Sequence, residues 1–151
     1  MEENVVLADG VDHVALAVRS VDDSLGYFVS TLGLPLVHDE ELPDTGVRLA
    51  YVDAGNVLIQ LVQALRPGPI SEFLDERGEG LHHVCFATRD LPTVLDALGG
   101  EEPAAIMLGG RGRRTCFLPN RPSGLLIELI EHDPDENPVD PIIAHAPGSA
   151  A

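Results

Sequence analysis

At 151 residues with 44% hydrophobic content, the chain has the length for one domain, or for two small modules sharing a core, and enough apolar material for a folded globule. A formal net charge of −16, with nine arginines and no lysine, repels polyanions and so excludes general binding to nucleic acid or to anionic membranes. No apolar run reaches the roughly 18 residues that span a bilayer, and two cysteines, Cys85 and Cys116, are too few for a disulfide framework and read as reduced thiols.

Residues 1–9 carry no strong pattern and read as an N-terminal arm. Their start, Met1-Glu2-Glu3-Asn4, is acidic where a signal peptide would be basic, so the expected location is cytoplasmic. The domain, residues 10–131, opens on Asp12-His13-Val14-Ala15-Leu16-Ala17-Val18. Bulky Val14, Leu16 and Val18 alternate with His13, Ala15 and Ala17, which predicts a strand with two faces. One face packs under a helix, and the other sets an imidazole beside small side chains, like the wall of a cavity. Ser20, with an acid three residues on, caps a helix carrying Leu25, Phe28 and Leu32 that Gly33 stops. A short strand over 34–37, an acidic loop over 40–46 and strands over 47–53 and 57–62 complete a first βαβββ module at about 10–63. In its last strand Leu58, Gln60 and Val62 share the face away from Ile59 and Leu61.

A connector over 64–80 holds Pro67, Gly68 and Pro69, a short helix over 70–77 and the turn Gly78-Glu79-Gly80. The same order then begins again at about 81–131. It starts with His82-His83-Val84-Cys85-Phe86-Ala87-Thr88, followed by a helix opened by Asp90 and closed by Gly99-Gly100. Next come a short apolar stretch, the loop Gly109-Gly110-Arg111-Gly112-Arg113-Arg114, and strands over 114–118 and 125–131. The expected fold class is α+β: two tandem βαβββ modules. By strict alternation His82 points away from His83. Residues 132–151, rich in proline and small residues, read as a flexible C-terminal tail in which His132 and His145 are solvated.

The offsets fit a duplication: His13 to His83 is 70 positions and Gln60 to Glu128 is 68. Duplicated modules put equivalent residues in equivalent places. His13 and His83 then come from the first strand of each module and Gln60 and Glu128 from the last, all on the face away from the helices. Two imidazoles, a carboxylate and an amide oxygen suit Zn²⁺, Mn²⁺, Co²⁺, Ni²⁺ or Fe²⁺, and four protein ligands leave positions open for substrate. A lone strand histidine is more often structural, but recurrence at both equivalent positions favours the metal.

The stretch Pro69-Ile70-Ser71-Glu72-Phe73-Leu74-Asp75-Glu76-Arg77-Gly78-Glu79-Gly80-Leu81-His82-His83, with Asp12-His13 upstream and Gly124-Leu125-Leu126-Ile127-Glu128-Leu129 downstream, resembles the methylmalonyl-CoA epimerase family. That family belongs to the vicinal oxygen chelate superfamily, with glyoxalase I, extradiol dioxygenases and fosfomycin or bleomycin resistance proteins. The resemblance covers residues 9–131. It implies a glyoxalase-like bowl, a homodimer, and a divalent metal whose ligands fall on His13, Gln60, His83 and Glu128. It also implies a CoA thioester substrate, methylmalonyl-CoA or a similar 2-substituted malonyl thioester, whose thioester and carboxylate oxygens chelate the ion. Glu128 is then the catalytic base that removes the α-proton, and the metal stabilises the resulting enolate as a Lewis acid.

Arg113 and Arg114 match the basic pair of the family's glycine loop and are expected near the anionic end of a CoA-type ligand. Two positions depart from the pattern. Leu49 stands where some epimerases carry a second glutamate, and Pro119-Asn120 replaces the usual His-Pro. The alternatives are a glyoxalase-type lyase or isomerase, an extradiol dioxygenase with Fe²⁺ on His13, His83 and Glu128, and a non-catalytic small-molecule-binding protein of the drug-resistance type.

Overall fold

The computed structural model describes residues 7–99 and 105–132. The first module contains β1 (Val11–Ala17), α1 (Val21–Leu25) continuing into a wider turn over Gly26–Thr31, β2 (Leu36–Leu42), β3 (Val47–Asp53) and β4 (Leu58–Ala64). After the connector helix α2 (Pro69–Arg77) come β5 (Gly80–Thr88), α3 (Leu91–Leu98), β6 (Met107–Leu108), β7 (Arg114–Phe117) and β8 (Leu126–Glu131). All eight strands form one curled sheet in the order β2-β3-β4-β1-β5-β8-β7-β6. In each module the first strand pairs in parallel with the last, β1 with β4 and β5 with β8, and the modules join where β1 and β5 run antiparallel.

Alternation sorts the core as the residues dictate. On the convex face Val18, Val21, Ala50 and Leu61 pack with Leu16, Leu25 and Phe28 under α1, and Leu91, Val94, Cys116 and Leu129 form the equivalent cluster under α3. Burial of apolar surface at roughly 25 cal/mol per Å² drives both clusters. On the concave face Ala15, Val37, Leu49, Tyr51, Leu58 and Val62 line the bowl. The helix starts are capped as their residues require: Ser20 Oγ accepts from Asp23 N at 3.1 Å and Asp90 Oδ1 from Thr93 N at 3.2 Å. Both cysteines are free and buried. Among the described residues no helix is long and apolar enough to cross a membrane.

Three local expectations are corrected. The second strand runs on to Leu42 through the acidic residues read as a loop, because Arg48 of β3 pairs with Asp39 of β2 at 2.8 Å and neutralises that edge. Leu32, placed on the buried stripe of the first helix, is 51% exposed, because the helix widens after Leu25 and rotates it off the sheet. His132 is not solvated. Its N–H donates to Thr88 O at 2.7 Å, which continues the β8 pairing and keeps its ring on the concave side, 4% exposed. The rest of the C-terminal tail, His145 included, lies outside the described residues, as do residues 1–6 of the arm. The described part of the arm docks: Asp9 N donates to Ala87 O at 2.7 Å and Leu7 packs into the α3 cluster.

Candidate active site

Sheet register brings the four predicted ligands together. One row across the centre of the sheet reads Gln60, Ala15, His83, and the next reads His13, Cys85, Glu128. Ala15 and Cys85 are fully buried and short, so the long side chains beside them can lean in over the same point. His13 Nε2 and His83 Nε2 stand 3.3 Å apart, and Glu128 Oε1 is 3.3 Å from the first and 3.1 Å from the second. Gln60 Nε2 donates to the Tyr51 hydroxyl at 2.8 Å, while Gln60 Oε1 is buried with no hydrogen-bond partner among the described residues. Converging imidazole and carboxylate atoms, with a buried, orphaned carbonyl oxygen on the lining of the same cavity as His83 and Glu128, fit a divalent cation with nitrogen and oxygen ligands.

Electrostatics point the same way. Burial pushes the Glu128 carboxyl up, but hydrogen bonds from His13 and His83 and their charge outweigh it and bring it down to about 2. The carboxylate therefore sits where positive charge gathers. A divalent cation bound at the same point would favour the ionised carboxylate in the same sense.

Each cavity histidine is preceded by a residue extra to the β1–β5 register. Pairing steps from Val11 opposite Phe86 to His13 opposite Cys85, which leaves Asp12 over, and from Ala15 opposite His83 to Leu16 opposite Leu81, which leaves His82 over. Bulges re-aim side chains. Here Asp12 Oδ2 accepts from His13 Nδ1 at 2.7 Å, and His82 Nδ1 lies 2.7 Å from His83 Nδ1. The alternation that put His82 on the opposite face is thereby overturned: it is half-buried and lines the cavity. Burial and the neighbouring His83 hold its pKa down to about 4, so it is neutral.

The bowl encloses about 810 Å³ between the sheet and α2. Its walls are apolar at Leu42, Val47, Leu49, Val62, Ile70 and Phe73, and its carboxylates among the described residues are Glu72, Glu76 and Glu128. A family model of the Glyoxalase/Bleomycin resistance protein/Dioxygenase superfamily matches residues 12–117. The chain belongs to this superfamily. Within it, YqjC of Bacillus subtilis, an uncharacterized protein, is 32% identical over 133 residues, 84% of this chain and 95% of YqjC. The ethylmalonyl-CoA/methylmalonyl-CoA epimerase of Cereibacter sphaeroides is 31% identical over 130 residues, 79% of this chain and 95% of that enzyme. The crystal structure of methylmalonyl-CoA epimerase from Mycobacterium tuberculosis superposes with a TM-score of 0.76 at 30% identity, covering 88% of this chain and 94% of that one. This superfamily member is thus an enzyme of the epimerase branch, an isomerase.

The glycine and arginine loop of this epimerase-like protein contributes a residue the sequence reading did not single out. Arg111 turns inward, its side chain 4% exposed, and both of its terminal nitrogens meet the Asp12 carboxylate, Nη1 at 3.3 Å from Oδ1 and Nη2 on Oδ2. Its guanidinium lies over the Tyr51 ring at 4.8 Å, and the Arg111 backbone N–H donates to Glu40 Oε1 at 2.6 Å. The turn needs Arg111 at φ 62° and a glycine before it, since a Cβ on Gly110 would stand 2.2 Å from the Tyr51 hydroxyl. His132 Nε2 completes the set, 2.9 Å from Asp12 Oδ1. Burial pushes Asp12 up, but hydrogen bonds from His13 and His132 and the charge of Arg111 hold it well below the usual carboxylate range.

Arg113 and Arg114 do not line the cavity. Arg114 begins β7 with its side chain on the convex face, where Nε and Nη2 bind Glu131 at 2.8 and 2.7 Å, and Glu131 in turn accepts from Leu91 N at the start of α3. The arginines that do line the cavity are Arg77, at the end of α2, and Arg121, in the turn before β8. Of the residues not foreseen, Asp12 carried a signal in its place beside His13, and Arg111 in its glycine-flanked cluster. His132 carried none.

Proposed function

We propose that the protein epimerises methylmalonyl-CoA, or a similar 2-substituted malonyl thioester, in a metal-dependent proton transfer. The observation that carries this reading is the convergence of His13, His83 and Glu128 beside a largely apolar cavity large enough for a thioester, whose lining also includes Gln60 with its unpartnered oxygen. The epimerase relatives support the substrate class.

His13, Gln60, His83 and Glu128 would hold the ion, and Zn²⁺, Mn²⁺, Co²⁺, Ni²⁺ and Fe²⁺ all suit that donor set. When bound, the ion supplies Lewis acidity for the negative charge that grows on the thioester oxygen as the α-proton leaves. Glu128, ionised at neutral pH, removes that proton. Val47, Leu49 and Val62 exclude water from the far side of the bowl and offer an apolar seat for the 2-substituent. Arg77 and Arg121 provide the positive charge that an anionic CoA ligand needs in a chain of net charge −16. The family resemblance adds a homodimer, which light scattering on the purified protein tests.

The deciding experiment is deuterium incorporation at the α-carbon of methylmalonyl-CoA in D₂O. Exchange is expected with metal, lost on chelation and restored by metal. Tight binding of the thioester with no exchange would replace the epimerase with the small-molecule-binding protein that the apolar Leu49, in the place of an acid, favours.

A further inference from the structure

The two bulged residues occupy equivalent places: His82 follows Asp12 by the same 70 positions that separate His83 from His13. Each stands directly before a cavity histidine and meets that histidine's Nδ1 at 2.7 Å. For Asp12 the chemistry is plain: a carboxylate can only accept, so His13 keeps its hydrogen on Nδ1, and Nε2, beside His83 Nε2 and Glu128 Oε1, is left to carry the lone pair for a cation.

For His82 the proton must be placed. Two ring nitrogens at 2.7 Å share one hydrogen, donated by one and accepted by the other. His83 Nε2 is the nitrogen that faces His13 Nε2 and Glu128 Oε1, so it must carry the lone pair if it is to hold a cation. Its hydrogen is then on Nδ1, and His82 Nδ1 accepts it. Phe73 of α2 packs edge-on against the His82 ring with centroids 5.0 Å apart and fixes its plane.

We propose that His82 is a positioning residue for His83, the second-module counterpart of Asp12: it accepts the Nδ1–H, sets the tautomer and ring angle, and presents Nε2 to a divalent cation. This rests on the reading of His83 as a metal ligand. The two modules solve one problem with different charge. Asp12 brings a buried anion that the Arg111 guanidinium compensates, whereas an imidazole that accepts at Nδ1 and carries its one hydrogen on Nε2 takes the same bond without a counter-ion.

Loss of such an outer partner typically weakens metal binding by about 10–100-fold. Zn²⁺ titrated into chelator-stripped full-length protein is expected to bind His82→Phe that much more weakly than the unmodified protein. His82→Asn, whose side-chain oxygen takes the place of Nδ1, should recover to within about threefold. Equal affinity in all three overturns the proposal, while a failure of the unmodified protein to bind Zn²⁺ overturns the metal reading beneath it. Should His82→Phe not fold, ¹⁵N NMR of the unmodified Zn²⁺-loaded protein decides the matter. A hydrogen on His82 Nε2 and on His83 Nδ1 is expected, and a hydrogen on His82 Nδ1 overturns the assignment.

Discussion

Arg111 and Asp12, 99 positions apart and one from each module, meet as a buried fork in which the guanidinium spans both oxygens of a carboxylate that has no exposed surface. Removing one member leaves the other charge buried and uncompensated, a change that typically costs about 3–5 kcal/mol. Arg111→Met is expected to lower unfolding free energy by that order in urea titrations, and Asp12→Asn in the same background should recover part of the loss. The pH dependence follows from the depressed Asp12 carboxyl. Its contribution is fully present above the unfolded value of about 4 and is lost as pH falls through the lower folded value. The unmodified protein should therefore hold its stability to lower pH than Arg111→Met. Superimposable acid-unfolding curves would show that the fork carries no such weight.

His13→Ala and His83→Ala are expected to lose most bound metal and remain folded, because the packing clusters under α1 and α3 lie on the other side of the sheet. Metal analysis and melting curves on the same samples check both halves. Stoichiometric metal in both variants would remove these histidines from the ligand set.

On the proposed mechanism, Glu128→Gln would keep an oxygen for the ion and remove the base. Positioned bases contribute about 10²–10⁴ in rate, so α-proton exchange should fall by that factor from the enantiomer Glu128 serves while metal stays bound. Across the bowl, Leu49 offers no acid for the second face. The unmodified enzyme should exchange one enantiomer faster than the other, and Leu49→Glu should narrow the gap. Equal, rapid exchange from both enantiomers would falsify the single-base mechanism.

Arg121→Glu and Arg77→Glu should raise KM for a CoA thioester about tenfold or more, the loss of roughly one charge-assisted contact. Truncated thioesters without the nucleotide should respond less. Arg114→Glu is expected to act differently: it opposes Glu131 at the start of α3, so the melting temperature falls and KM stays in place. A KM effect at Arg114 larger than at Arg121 would reverse this division.

The fold was legible because its signals are local. Period-2 alternation in Val14, Leu16 and Val18 against His13, Ala15 and Ala17 names both faces of β1, and the repeat 70 positions later names β5. The meeting of His13, His83 and Glu128, with Gln60 one strand beyond Ala15 in the row of His83, follows from the same periodicity carried across equivalent strands. What stayed hidden depends on two strands at once. A bulge is a mismatch between partners, invisible in either strand alone, so alternation set His82 on the wrong face and left Asp12 without a role. The arginine cluster was visible, but which arginine turns inward depends on the positive φ of Arg111 and on the closeness of Gly110 to Tyr51. The acidic β2 reads as a loop until Arg48 is placed beside Asp39, and His132 looks solvated until β8 is seen to continue.

The seam between β1 and β5 joins two half-sites. Each half of the chain brings one imidazole and one side-chain oxygen to the bowl, His13 with Gln60 and His83 with Glu128. A single half thus holds two donors, short of the three that protein usually supplies to a catalytic metal, and its first strand has a bare edge. The site therefore exists only while the β1–β5 seam holds, and the connector carrying α2 keeps both halves of it in one chain.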